Sequence, residues 1–386
     1  MTLAVRIVQE RRVGPAHAEL NRSLKSQSAG RTEAGDWEGA MLAVFATAAG
    51  GPHPLENLAV GDRAIPDPLP GAVRLRTRAV SLNHHDLWSL AGVGGPSRFP
   101  WTLGCDVAGL VDAYGPDTPE RFPAGTPVVA HAVVTCGECE ACLGPDETSC
   151  QNFAILSDGD WEGTFAEYCI VPAVNLFVLP DDLSFEQAAC LPVAYLTAYR
   201  MLFTKASVRP GDAILIQGAG GGLSTAVELL ARAAGVRVIV SSRDPSKRAA
   251  ALARGVDQAV ATGKEAAKEV LGLTAGVGVD AVIESVGEAT WPTSLRAVRK
   301  GGAVVVAGAT SGADPPADLR RVFWRQLRIL GSTMGTRAEF AALLATVTAT
   351  GIRPVIDSTF PLAEAKAAFA RLDAGDVTGK VVMVSG

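Results

Sequence analysis

Four cysteines fall within one short stretch, Cys136, Cys139, Cys142 and Cys150, with the spacing C-x2-C-x2-C-x7-C. Thiolates at such turn-forming intervals can close a tetrahedron around Zn²⁺. All four positions are cysteine, so none is left for a water, and a metal held this way is structural, not catalytic. Binding needs deprotonated thiols and orders the loop that carries them. Four reduced surface thiols and an iron–sulfur cluster are the alternatives. The other cysteines, Cys105, Cys169 and Cys190, are scattered. That distribution fits reduced thiols in a cytoplasm better than a secreted disulfide framework.

A second chemical feature is the segment Ala213-Ile-Leu-Ile-Gln-Gly-Ala-Gly-Gly-Gly-Leu-Ser. The pattern predicts a buried strand ending at Gln217 and a helix beginning near Ser224. Between them lie Gly218, Gly220, Gly221 and Gly222. Glycines there let the backbone turn tightly and approach a pyrophosphate, which the free N–H groups of the helix then receive. Leu223 occupies the third glycine position of G-x-G-x-x-G, so either the turn is rebuilt around Gly222 or the helix packs differently. The next strand, Val236–Val240, runs into Ser241, Ser242, Arg243 and Asp244, with Lys247 beyond. Small hydroxyls and the basic Arg243 and Lys247 suit a ribose 2′-phosphate, hence NADP(H). Asp244 is the rival feature, because an acid there would hold a 2′-hydroxyl instead.

These features need scaffolds. From 41 to about 190, short apolar runs such as Ala72–Val80, Val107–Val111, Pro127–Ala130 and Phe165–Val171 alternate with Gly/Pro turns, a barrel-like β pattern. Beyond about 190, strand-like and helix-like segments alternate, which means βαβ units and a parallel sheet. The chain ends in another strand, Lys380–Val384. The expected organisation is a disordered extension over 1–40, a β domain over 41–194 with the cysteine lobe at 136–150, a dinucleotide-binding domain over 195–328, and a return to the first domain over 329–386. Net charge is −5 and no Lys/Arg block stands out, so nucleic acid and anionic membranes are poor partners. No apolar run reaches the roughly 18 residues of a membrane span.

Taken together the motifs resemble the medium-chain dehydrogenase/reductase superfamily. Besides the glycine loop and the cysteine lobe, the matching stretches are Ser81-Leu-Asn-His-His-Asp-Leu-Trp88, Leu103-Gly-Cys-Asp-Val-Ala-Gly109, Gly163-Thr-Phe-Ala-Glu-Tyr168, Leu191-Pro-Val-Ala-Tyr-Leu-Thr-Ala198 and Gly331-Ser-Thr-Met334. The first two look most like the quinone-oxidoreductase branch, and the cysteine lobe more like the zinc alcohol dehydrogenases. The resemblance implies an α/β protein: a GroES-like β-barrel catalytic domain plus a doubly wound parallel-sheet (Rossmann) domain, with the active site between them. It also implies a cytoplasmic homodimer or homotetramer acting on a small molecule.

Carried over by position, the family's catalytic-zinc ligands fall on Asn83, Cys105, Asp106 and Val193. Only Cys105 and Asp106 are good ligands, and a catalytic site needs three. Without that Lewis acid, alcohol oxidation is hard, whereas hydride delivery to an enone, enal or quinone-like carbon remains accessible. His85 is then the expected donor or proton source, Asn83 the residue that orients substrate or nicotinamide, and Tyr195 a weaker donor. His84 and His85, read as strand neighbours, would point to opposite faces. The competing expectations are a zinc-dependent alcohol dehydrogenase or ketone reductase using Cys105, Asp106 and His85, and a non-catalytic cofactor-binding module.

Overall fold

A computed structural model describes residues 39–96 and 98–386 of the chain. The expectation for residues 1–40 therefore falls, save for Gly39 and Ala40, outside the described residues.

The nucleotide-binding half is a six-stranded sheet. Its strands are β1 (Ala213–Gln217), β2 (Arg237–Ser241), β3 (Gln258–Val260), β4 (Val279–Glu284), β5 (Val298–Val306) and β6 (Arg328–Gly331). Every pair is parallel, in the order β3-β2-β1-β4-β5-β6. Ile214-Leu215-Ile216 and Val238-Ile239-Val240 are buried as unbroken apolar runs, as a sheet covered on both faces requires. The order reverses between β1 and β4, and ligands in such sheets bind at the carboxyl ends of the strands there. Helix α1 (Gly222–Ala233) leaves β1 at that point, and α2 (Pro245–Ala253) follows β2.

The other half is built from antiparallel strands. Ala72–Ser81 is its centre, pairing with Ala108–Tyr114, Tyr168–Pro172 and the final strand Lys380–Val384. A small sheet of Leu58–Ala64, Ala40–Ala46 and Trp101–Thr102 adjoins it. Phe165 and Phe369 meet edge-to-face in its core, 6.2 Å apart. A helical stretch over 185–206 joins the halves. Its Leu191, Tyr195 and Met201 share one apolar core with Ala79 and Val129 of the barrel and Ile214 and Val238 of the parallel sheet. The two halves are thus packed as one body. Among the described residues no helix is long and apolar enough to cross a membrane.

The expected strand across His84 and His85 is instead the first turn of a helix, His84–Ala91. The cause is local: the Asp86 carboxylate accepts the Asn83 backbone N–H at 2.7 Å, three residues back. Asn-x-x-Asp is a helix-start spacing.

Candidate active site

A cavity of about 430 Å³ lies at the junction of the two halves. The glycine loop forms one wall, with Gly218 at φ +83° and Gly220 at φ +96°. Gly221 is the N-cap of α1, so the helix begins one residue before the third glycine position. The turn is rebuilt around Gly222: a Cβ there would stand 2.6 Å from Lys380 Cδ. The Gly379 N–H donates to the Gly220 carbonyl at 2.7 Å, which ties the loop to the end of the chain.

Beyond β2, Asp244 caps α2. Its Oδ1 accepts the Ser246 N–H at 2.8 Å and the Ser246 hydroxyl at 2.7 Å. Those bonds hold its carboxyl below the usual range. Ser242 is buried and Arg243 is exposed. Lys247 Nζ donates to the Gly375 carbonyl at 2.5 Å, and Arg248 Nη1 to the Ser242 carbonyl at 2.6 Å. Arg248 is a basic neighbour that the motif reading passed over.

Opposite the glycines is a buried polar network. Lys380, 3% exposed, donates from Nζ to Leu82 O at 2.7 Å, Asn83 Oδ1 at 2.5 Å and Asp106 Oδ2 at 3.2 Å. Asp106 Oδ2 also accepts from Ser81 Oγ at 2.6 Å and Asn83 Nδ2 at 2.9 Å. Asn83 therefore spends both ends of its amide on this network. Asn83 also lines the cavity, so its bonds to Lys380 and Asp106 hold it at the cavity wall.

Next to the network, His85 Nδ1 lies 3.5 Å from Cys105 Sγ. Burial raises the Cys105 thiol well above its ordinary value, and Asp86 and Asp106 add to this. Burial lowers His85. It also raises Asp86 to about 7, against the opposing hydrogen bond from Asn83. The ligand atoms that gather within 4.8 Å are those of His85, Asp86 and Cys105. The expected trio of Cys105, Asp106 and His85 is thus corrected: Asp106 is engaged by Lys380, and Asp86 takes its place. Both His84 and His85 line the cavity, because the helix start sets them on one end of the helix and not on opposite faces of a strand.

Val193 lines the cavity as plain hydrocarbon. Tyr195 does not reach it. Its ring is fully buried and its hydroxyl accepts the Val355 N–H at 3.1 Å, while burial raises its pKa. Its expected role as a donor is overturned; it is a packing residue.

The four cysteines of the lobe converge. Cys139 and Cys142 are 3.5 Å apart, Cys150 and Cys136 3.5 Å, and Cys136 and Cys142 3.8 Å. With metal–sulfur bonds of about 2.3 Å, a tetrahedron has edges of about 3.8 Å. Backbone N–H groups of Cys136 and Asn152 point at Cys150 Sγ, at 3.4 and 3.3 Å, as they would toward a thiolate. The donor set and its geometry fit Zn²⁺.

Two family models match in tandem: "Alcohol dehydrogenase GroES-like domain" over residues 69–181 and "Zinc-binding dehydrogenase" over residues 222–349. A zinc-type alcohol dehydrogenase-like protein of Schizosaccharomyces pombe is 33% identical, over 81% of this chain and 91% of its own.

The chain belongs to the medium-chain dehydrogenase/reductase superfamily.

A crotonyl-CoA carboxylase/reductase of Cereibacter sphaeroides is 30% identical, over 76% of this chain and 75% of its own. A solved structure described as an NAD-dependent alcohol dehydrogenase superposes with a TM-score of 0.84 at 39% identity, over 90% of this chain and 100% of that one. As a medium-chain dehydrogenase/reductase, the protein is an oxidoreductase with a GroES-like domain and a Rossmann domain. Lys380 is the site residue that motif reading missed. Its signal is faint, a lysine opening an otherwise apolar last strand.

Proposed function

We propose that this chain is an NADPH-dependent reductase that receives hydride onto the activated carbon of an enone, enal or quinone-like substrate, with one structural zinc and no catalytic zinc. One observation carries the reading: the positions where the family's alcohol dehydrogenases hold a working metal are otherwise employed. Asn83 and Asp106 are bonded to Lys380, and Val193 has no donor atom. Of the four, only Cys105 offers a ligand atom from outside the Lys380 network, and a catalytic zinc needs three protein ligands. The apolar wall of Trp88, Phe153, Ile155, Val193 and Met334 suits a conjugated hydrocarbon skeleton.

Bound nicotinamide supplies the hydride. The protein's part is to steady the oxygen that gains charge. Burial keeps Cys105 a neutral thiol; in the reading proposed here its S–H donates to His85 Nδ1, 3.5 Å away, which puts the ring's own proton on Nε2. His85 is then a neutral donor bordering the cavity. His85→Ala is expected to lower kcat about 10²- to 10³-fold, with the cofactor Kd little changed. Unchanged turnover would make His85 structural. Because burial lowers its pKa from 6.5, His85 is neutral at pH 7 and above and gains its proton only on the acid side. The wild-type pH profile should therefore carry no His85-dependent inflection above pH 6.5.

The preference for NADPH is supported by Asp244, which is occupied as a helix cap, and by Arg243, Lys247 and Arg248 around Ser242. Arg243→Ala is expected to raise the KM for NADPH about 10-fold or more, the loss of one charge-assisted contact. The KM for NADH should hold. Equal changes would contradict the assignment.

The grouping of His85, Asp86 and Cys105 favours a second reading, a zinc-dependent dehydrogenase with its metal there. Metal analysis separates the two: one zinc per chain supports the first, two the second.

A further inference from the structure

The cysteine lobe carries four acids, Glu138, Glu140, Asp146 and Glu147, of which the last two are tied to residues outside the lobe. Asp146 and Glu147 sit between Cys142 and Cys150, and both reach residues beyond the barrel. Glu147, 7% exposed, accepts from Arg337 three times: the backbone N–H at 2.7 Å, Nη2 at 2.6 Å and Nε at 3.1 Å. Asp146 accepts from Arg200 Nη2 at 2.5 Å, and Arg200 Nη1 donates onward to Glu339 at 2.7 Å. Arg200 is 2% exposed. These pairs clamp the first turn of the helix Arg337–Thr350, whose N-terminal N–H groups favour an anion. Beside them His131 Nε2 meets the Gly335 carbonyl at 2.9 Å.

What the clamp holds is the short link from β6 to that helix. Ser332, Thr333 and Met334 of this link line the catalytic cavity together with the glycine loop. Met334 stands at φ +50°, a left-handed backbone that a side chain other than glycine rarely adopts. Such a conformation persists only where its surroundings over-determine it. Buried ion pairs add little net stability to a fold, but they do fix geometry where removal of one partner strands the other.

We propose that Glu147, seconded by Asp146, is a positioning residue for the cofactor: it pins the Ser332–Thr336 link so that its residues 332–334 face the nicotinamide end of the cavity. The proposal rests on the reading that a nicotinamide cofactor occupies this cavity. It makes the cysteine lobe a part of cofactor binding as well as a local staple.

The test is Glu147→Gln, which keeps the shape and removes the charge. Cofactor Kd is read by fluorescence titration with NADPH and NADH, alongside hydrogen exchange over residues 331–336 and zinc content. The expected result is a rise of about five- to tenfold in Kd for both cofactors, faster exchange in 331–336 and unchanged zinc. A variant with lowered thermal stability but native Kd and native exchange would overturn the proposal and leave a plain structural pair. Should Glu147→Gln fail to fold, Asp146→Asn, at a more open pair, reads the same two quantities. If the native protein bound neither cofactor, the cofactor reading would fall, and the exchange data alone would decide whether the lobe holds the link.

Discussion

Lys380→Met is expected to destabilise the protein by about 3–5 kcal/mol, the usual consequence of removing one partner from a buried ion pair. Asp106 is fully buried and Lys380 nearly so. In the variant the methionine can still cover Gly222 with its aliphatic stem, so little packing is lost. The Asp106 carboxylate keeps its bonds from Ser81 and Asn83 but loses the cation. The Leu82 carbonyl and Asn83 Oδ1 lose their donor as well. The second substitution that should relieve this is Asp106→Asn, which removes the stranded charge. The double variant Lys380→Met/Asp106→Asn is therefore expected to be more stable than Lys380→Met alone. Urea denaturation of the four proteins closes the cycle. A single variant within about 1 kcal/mol of the native protein would mean that the pair carries no net charge to strand.

That network also marks the boundary of what could be read from the chain. The glycine loop and the cysteine run are local: their spacing alone prescribes a tight strand-to-helix turn and a four-thiol pocket, and both appear where expected. The parallel sheet was legible because its strands are unbroken apolar runs separated by helical segments. The network around Lys380 was not, since its lysine meets Asn83 297 residues away along the chain. No period or motif joins them. The same long-range pairing explains two reassignments. Asp106 read as a ligand because carboxylates bind zinc, but tertiary packing gave it a lysine instead. Tyr195 read as a donor because it neighbours the domain junction, but its hydroxyl is capped by Val355, 160 residues on. The histidines are a different case. Asn83-x-x-Asp86 is a local helix-start spacing, and it overrides the strand geometry assumed for the two histidines.

Cys139→Ser is expected to release the metal of the lobe, taking zinc content from about one per chain to near zero. A serine hydroxyl does not ionise near neutral pH, so the site loses one of its four anionic donors. Hydrogen bonding from the Cys142 backbone favours the ionised form of Cys139, whereas burial disfavours it at Cys142 and Cys150, so a cation is needed to hold all four as thiolates. Structural zinc contributes roughly 10–16 kcal/mol to the folding of isolated finger peptides. Here the lobe has other anchors, Glu147 on Arg337 and Asp146 on Arg200, so the loss should be a fraction of that. For a chain of 386 residues, a loss of about 3 kcal/mol would lower the Tm by on the order of 4 °C. Chelation of the native protein should reproduce the shift, whereas chelation of the variant should do nothing further. The two anchors also predict the form of the damage. If they survive, the variant binds cofactor almost normally and merely melts earlier. If the loosened lobe lets Glu147 leave Arg337, cofactor Kd rises in step with metal loss, as it should in Glu147→Gln with the metal still bound. Zinc content unchanged in Cys139→Ser would remove the structural metal from the account, and the four thiols would then be no more than neighbours.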